Sequence, residues 1–347
     1  MTETVPSLIP KSEPIDYSST NNESQPLLTI RDLRVHFYTL RGTVYALEGV
    51  NLDVQKEETM GIVGETGCGK SITARAVLRL IDPPGKIVSG TVEFDGQELL
   101  NLHPKEMRRI RGKRISMIMQ EPRMSLNPVI RVGNQVAETL LIHESDLSPS
   151  AARKKAEEML QSVGIPDAGK MSKRYPHELS GGMAQRVMIA MMLVTRPKLL
   201  IADEPTSALD VTIQAQIIDL MNDLVHELQS SVMMISHDLG VVAETCDRVA
   251  VMYAGSVVEQ GRVEDVLHNP RHPYTKGLLR TLPDNASENE DLYSIKGNVP
   301  SLFMPQQQCR FAPRCEFSQE RCFQEIPGSY QVGNNHSAAC FLHENGI

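Results

Sequence analysis

The chain contains no tryptophan, and aromatic residues make up only 4% of its 347 positions. Binding platforms for single-stranded nucleic acid depend on stacking aromatics, so that class is disfavoured. Positive charge is short as well: 35 Lys and Arg stand against 43 Asp and Glu, for a net charge of −8. A protein that coats nucleic acid needs the opposite balance. The longest apolar run, VMIAMMLV at 187–194, is far below the roughly 20 residues a membrane span requires. The opening MTETVPSLIPKSEPIDYSST has no basic start and no apolar segment, unlike a signal peptide. These absences predict a cytosolic chain whose cysteines stay reduced, where clustered thiols more often bind metal than pair. What is present suffices for a full core: 41% of residues are hydrophobic, over a length that suggests two domains or one with an appendage.

Residues 1–26 are rich in Ser, Thr, Asn, Glu and Pro and predict a flexible extension. From Leu27 the pattern turns globular. Strands are predicted at 28–37, 58–63, 91–96, 115–120, 198–203 and 231–236, and helices at 71–81, 150–165 and 212–228. KLLIAD and SVMMIS are almost wholly apolar, as suits central strands of a parallel sheet covered on both faces. RVAVMYAGSVVEQG (248–261) predicts a hairpin turning at Ala254-Gly255. Beyond about residue 268 the chain becomes rich in Pro, Gln and Gly, a small unit with little core of its own. The division expected is therefore 1–26, 27–267 and 268–347. There is no internal repeat.

GETGCGKS (64–71) follows one predicted strand and opens a helix, the context in which G-x-x-x-x-G-K-[ST] cradles phosphates. Gly64, Glu65, Thr66, Gly67, Cys68 and Gly69 supply backbone to such a loop, and the helix N-terminus around Ile72 adds positive partial charge. Lys70 is expected to reach the β- and γ-phosphates, and Ser71 to ligate Mg²⁺. KLLIADEP (198–205) supplies the acidic partners. Asp203 at the strand end holds the Mg²⁺ shell, and Glu204 orients or deprotonates the attacking water.

LSGGMAQR (179–186) starts a long helix and resembles the signature of the ABC ATPases, with likeness over roughly 28–265. In that resemblance Gln120 is the Q-loop residue touching metal and attacking water. SALD (207–210), ending in Asp210, is the D-loop, and His237 is the switch histidine at the γ-phosphate. Phe37 is the adenine-stacking candidate, with Tyr38 and Tyr45 as alternatives. The resemblance implies an α/β fold: a P-loop NTPase core with a helical signature subdomain, an antiparallel β-subdomain and a small Cys-rich C-terminal extension. Ser180, Gly181 and Gly182, with Gln185, would complete the ATP site of a second subunit in a head-to-tail sandwich. Met183 departs from the pattern, standing where many members carry Gln; Gln185 and Arg186 remain.

QEPRMSLNP (120–128), ALDVTIQAQIIDLM, NPRHPYTKGLL and GNVPSLF…CRFAPRC narrow the resemblance to ATPase subunits of dipeptide and oligopeptide importers. It implies an ATP-hydrolysing subunit that powers peptide uptake, peripheral on the cytoplasmic face of the cell membrane. A second, distinct ATPase, two integral-membrane permease subunits and an extracytoplasmic solute-binding protein are the implied partners, with no nucleic acid. Coupling helices of a membrane subunit would dock around 120–145. An importer of nickel or another small solute is the alternative. A soluble ABC ATPase working on DNA or ribosomes would carry a coiled-coil insertion or two ATPase units, and neither is here.

The six cysteines are unevenly spread: Cys309, Cys315, Cys322 and Cys340 fall in the last 39 residues of the chain. Their gaps lack the paired C-x2–4-C hooks of zinc ribbons and suit a 4Fe–4S cluster. The importer resemblance points the same way. Zinc on three of these cysteines plus His336 is the alternative. Arg310, Arg314 and Arg321 could offset thiolate charge. Cys68 and Cys246 stand apart from this cluster and are expected to be structural or incidental.

Overall fold

The computed structural model describes residues 25–120, 125–206, 210–282 and 293–344. Most of the expected N-terminal extension and D-loop residues 207–209 lie outside the described residues. Twelve strands form two sheets among the described residues. β1 (Leu28–Thr39), β2 (Gly42–Val54), β4 (Gly85–Phe94) and β5 (Gln97–Glu98) make an antiparallel sheet in the order β2-β1-β4-β5. The second sheet contains β3 (Thr59–Val63), β6 (Ile115–Ile118), β7 (Leu199–Asp203), β8 (Ser231–Ile235), β9 (Arg248–Tyr253), β10 (Ser256–Arg262), β11 (Tyr330–Gly333) and β12 (His336–Ala338). Its order is β11-β12-β10-β9-β3-β8-β7-β6, with β6, β7, β8, β3 and β9 parallel. Every residue of β6, β7 and β8 is buried, because helices or the other sheet cover both faces. β2 was not among the expected strands. It pairs along β1 from Leu28↔Val54 to Thr39↔Gly42.

One apolar cluster lies between the antiparallel sheet, the helix Lys70–Val77 and one face of the parallel sheet, around Leu47, Leu52, Phe94, Met60 and Ile201. A second packs the helices Val132–His143, Pro149–Ser162 and Gly181–Leu193 against the other face. Helix Pro149–Ser162 buries Ala152, Ala156 and Leu160, one stripe at four-residue spacing. Ser148 caps its start. Its end is closed by a bond from Ile165 N–H to Leu160 C=O across Gly164 at φ 73°. The expected helix 71–81 stops at Val77 in a similar way: Leu80 N–H bonds to Arg75 C=O, with Arg79 at φ 52°. The hairpin β9–β10 turns at Ala254 (φ 46°) and Gly255 (φ 89°), the doubly left-handed turn that matches strand twist.

The C-terminal extension does not stand apart from the core. β12 pairs with β10 through Glu259↔Ala338 and Gln260↔Ser337, so the tail lengthens the central sheet. A third cluster joins Tyr253, Val251 and Val263 to Tyr274 and to Phe311 of the tail. A segment with so little apolar content borrows its core from the unit beside it.

Candidate nucleotide site

Parallel pairing brings the ends of four strands to one edge of the sheet. Ile62 is level with Ile235, Ile235 with Asp203, and Ala202 with Ile118. The loop Gly64–Ser71, Asp203-Glu204, His237 and Gln120 therefore emerge together, at the C-terminal edge where open α/β sheets bind ligands.

Gly64 has φ 147°, and a Cβ there would lie 2.1 Å from the Met252 carbonyl oxygen, so only glycine lets the loop cross β9 this closely. At Gly69 (φ 108°) a Cβ would lie 2.6 Å from the Leu47 side chain. Thr66 and Gly67 form the exposed tip, and the Cys68 thiol is buried, which pushes its pKa up. Gly69 precedes the helix Lys70–Val77, and Ile72 in its first turn packs on the core. Lys70 is 6% exposed, and its Nζ donates to the carbonyls of Gly64 (2.7 Å) and Glu65 (3.3 Å).

Ser71 Oγ donates to Asp203 Oδ1 at 2.8 Å. Burial raises the Asp203 pKa, partly opposed by that hydrogen bond. These hard oxygen donors suit Mg²⁺. Glu204 sits at φ 49°, its N–H bonded to Ile235 C=O (3.0 Å). Its carboxylate receives the Gln120 amide at 2.8 Å and lies 3.7 Å from His237 Nδ1. A cleft bordered by Thr206, Ser236, His237 and Asp238 opens beside it.

Ser180 caps the helix Gly181–Leu193, its Oγ accepting from Met183 N–H at 3.3 Å, and is itself exposed. This helix start belongs to the second apolar cluster, whereas Cys68 of the phosphate loop belongs to the first. Gln185 departs from expectation. It is 1% exposed and donates its amide to the Pro205 carbonyl, so within this chain it ties the signature helix to the Glu204 turn. Helical spacing could have shown this, since Gln185 shares a face with buried Met188 and Ile189. Asp210 is exposed at the head of helix Val211–Leu228. Among the adenine-stacking candidates, the Phe37 ring lies over Gly85. Tyr45 meets the His36 ring edge-on, and Tyr38 is 49% exposed.

Cys309, Cys315, Cys322 and Cys340 line one cavity, walled further by Phe311, Phe341 and Pro327. Burial raises the thiol pKa values of Cys309 and Cys315, and that of Cys340 to about 11. Among the described residues no three His, Cys, Asp or Glu side chains gather as a single metal ion requires. His336 is not on the cavity: its Nε2 meets buried Glu259 at 2.7 Å, which removes it from the zinc set considered above. The arginines are committed elsewhere, Arg310 to the Ala254 carbonyl, Arg314 to Glu65, and Arg321 to Glu325 and Glu344. Cys246 follows the helix Leu239–Thr245, with burial raising its pKa to about 12.

A two-sheet cassette with a phosphate loop, a strand-end Asp-Glu pair and a capped signature helix defines an ATP-binding cassette ATPase. Solved structures agree. The dimeric ATP-binding cassette MJ0796, in a post-hydrolysis state bound to ADP and Pi, superposes with TM-score 0.61 at 27% identity, covering 68% of this chain and 98% of that one. Residues 47–207 match the ABC transporter family, and residues 258–322 match the oligopeptide/dipeptide transporter C-terminal region. The oligopeptide transport ATP-binding protein OppD of Bacillus subtilis is 49% identical over 318 residues, 91% of this chain and 88% of OppD. The dipeptide transport ATP-binding protein DppD of the same organism is 47% identical over 321 residues, 92% and 96% of the two chains. The chain belongs to the ATP-binding subunits of the oligopeptide/dipeptide ABC transporters, and it is an ATPase.

Proposed function

We propose that the chain powers the import of di- and oligopeptides, binding ATP on Gly64–Ser71 and hydrolysing it with Glu204. The observation that carries the reading is the meeting of Ser71 and Asp203 at 2.8 Å, with Lys70 and Glu204 on the same sheet edge. Ser71 and Asp203 would hold Mg²⁺, which neutralises charge on the phosphates. Lys70 exchanges its carbonyl partners for phosphate oxygens. Glu204 orients the attacking water and accepts its proton, held in place by the Gln120 amide. His237, 3.7 Å from Glu204, would contact the γ-phosphate, and Phe37, Tyr38 or Tyr45 would stack on adenine. Ser180, Gly181 and Gly182 present a capped helix start to the nucleotide of a second ATPase subunit.

The partners in this reading are that second ATPase, two membrane permeases and an extracytoplasmic binding protein, with the chain peripheral on the cytoplasmic face. Among the described residues no helix is long and apolar enough to cross a membrane. Val129 and Ile142, 78% and 68% exposed, give the 120–145 surface apolar contacts for a permease helix. Residues 27–267 form the nucleotide-binding unit and 268–347 the extension.

The four thiols around one cavity support a 4Fe–4S cluster on the extension, since soft thiolates spread around a cavity suit a cluster better than one ion. The test of function is peptide uptake by vesicles carrying the whole transporter. Uptake should require ATP and be lost with Lys70→Ala. ATP-driven uptake of nickel but not peptides would replace the substrate assignment.

A further inference from the structure

The extension reaches back to the phosphate loop through both arginines of CRFAPRC. Arg314 grips the Glu65 carboxylate with two nitrogens, Nη1 to Oε2 at 2.8 Å and Nη2 to Oε1 at 3.0 Å. The same guanidinium donates to Tyr253 Oη (3.2 Å) and to the carbonyls of Ile295 (3.2 Å) and Lys296 (3.1 Å). All five of its N–H groups are thereby engaged, and its side chain is 5% exposed. Glu65 N–H in turn donates to Tyr274 Oη at 2.9 Å. Four residues earlier, Arg310 donates to the Ala254 carbonyl, and the adjoining Gly255 N–H donates to the Cys68 carbonyl at 2.8 Å. Between the two arginines, Phe311 packs on Tyr253 and Tyr274 with ring centroids 5.2 and 5.5 Å apart.

Glu65 is the second residue of the loop. With its carboxylate and N–H both drawn toward the extension, its carbonyl faces Lys70. A bidentate fork fixes orientation as well as distance, and a loop already held in shape loses less freedom when it closes on a ligand. We propose that Arg314 is a positioning residue for nucleotide: through Glu65 it holds the phosphate loop in its binding conformation, and the extension thereby sets the affinity of the ATPase for ATP. This rests on the reading of Gly64–Ser71 as the phosphate loop.

The test is equilibrium binding of Mg-ATP to the full chain, with KM and kcat measured beside the partner ATPase. Arg314→Met should raise the dissociation constant and KM about tenfold, with kcat changed less than about threefold, because pre-organisation acts on binding. Arg314→Lys should restore part of the affinity, since a point charge cannot bridge both oxygens. In the Glu65→Gln background the Arg314→Met change should add less than about twofold, the coupling expected of one shared interaction. If Arg314→Met does not fold, Arg314→Lys and Glu65→Gln carry the test, and each must weaken binding at least about threefold. Unchanged affinity in these variants, with lowered unfolding stability, would make the clamp purely structural and overturn the proposal. Lys70→Ala is the control: if it too leaves binding unchanged, the phosphate-loop reading falls and this inference with it.

Discussion

The Gln120 side-chain amide donates to Glu204 Oε2 at 2.8 Å, linking the end of β6 to the end of β7 across 84 residues of sequence. The bond leaves the other carboxylate oxygen toward His237, 3.7 Å away. A carboxylate so held can orient a water but is not consumed by a salt bridge. Glu204→Gln should therefore keep ATP affinity within about twofold while phosphate release, with the partner ATPase present, falls on the order of 100-fold or more, the size of a general-base contribution. Normal turnover by that variant would move the base elsewhere.

Gly64 and Gly67 make a contrast within one loop. Both have positive φ, 147° and 81°, but only at Gly64 would a methyl group strike backbone, the Met252 carbonyl at 2.1 Å. At Gly67 nothing lies within 4 Å. Gly67→Ala should lower unfolding stability by about 1 kcal/mol, the conformational cost alone. Gly64→Ala should cost several times more and abolish ATP binding, because β9 and the loop cannot both keep their places. Equal denaturation midpoints for the two variants would contradict this account.

The positions of the phosphate loop and the Asp-Glu pair were legible because each is a short string whose flanking strand or helix is visible beside it; His237 was singled out only by the resemblance to ABC ATPases. β7 and β8 were legible for the same reason, as apolar runs of the right length. β2 was not, because GTVYALEGVNLDV mixes its apolar residues with Gly, Glu, Asn and Asp. Its pairing with β1 is set by the hairpin rather than by strict alternation. The bidentate contact between Glu65 and Arg314 spans 249 residues and leaves no local pattern at all. The arginines near the cysteines invited a reading by charge alone, whereas the structure points them at the core, at the loop and at Glu344. Gln185, expected at the surface from its motif position, instead lies on the buried face of its helix in this chain.

Gln185 also yields a prediction. Its amide nitrogen bonds to the Pro205 carbonyl while its Oε1, buried, has no hydrogen-bond partner among the described residues. Gln185→Met keeps the volume, removes the unpaired oxygen and leaves the carbonyl unsatisfied, so the two effects oppose. Stability should change by less than about 1.5 kcal/mol, but the turn carrying Glu204 loses its tether to the signature helix. The expected signature is lowered kcat with ATP affinity intact. A fall in affinity without a fall in kcat would instead mean that Gln185 supports the phosphate loop.

The four tail cysteines line one cavity from 309, 315, 322 and 340, and a bond from Cys309 N–H to Cys322 C=O at 3.1 Å joins two of their segments. A cubane spreads its four thiolates around a body several ångströms across, whereas zinc draws four sulfurs to about 2.3 Å from one centre. If the proposed 4Fe–4S cluster sits in this cavity, chain purified without oxygen should contain about four irons and four acid-labile sulfides. Cys340→Ser should lose most of both. If the cluster staples a segment that lacks a core of its own, its removal should open residues 293–344 to protease while the nucleotide core stays resistant. One zinc and no iron would make the tail a plain clip. Neither metal would leave the four thiols as packing against Phe311 and Phe341, and the staple would then be the shared sheet through β12 alone.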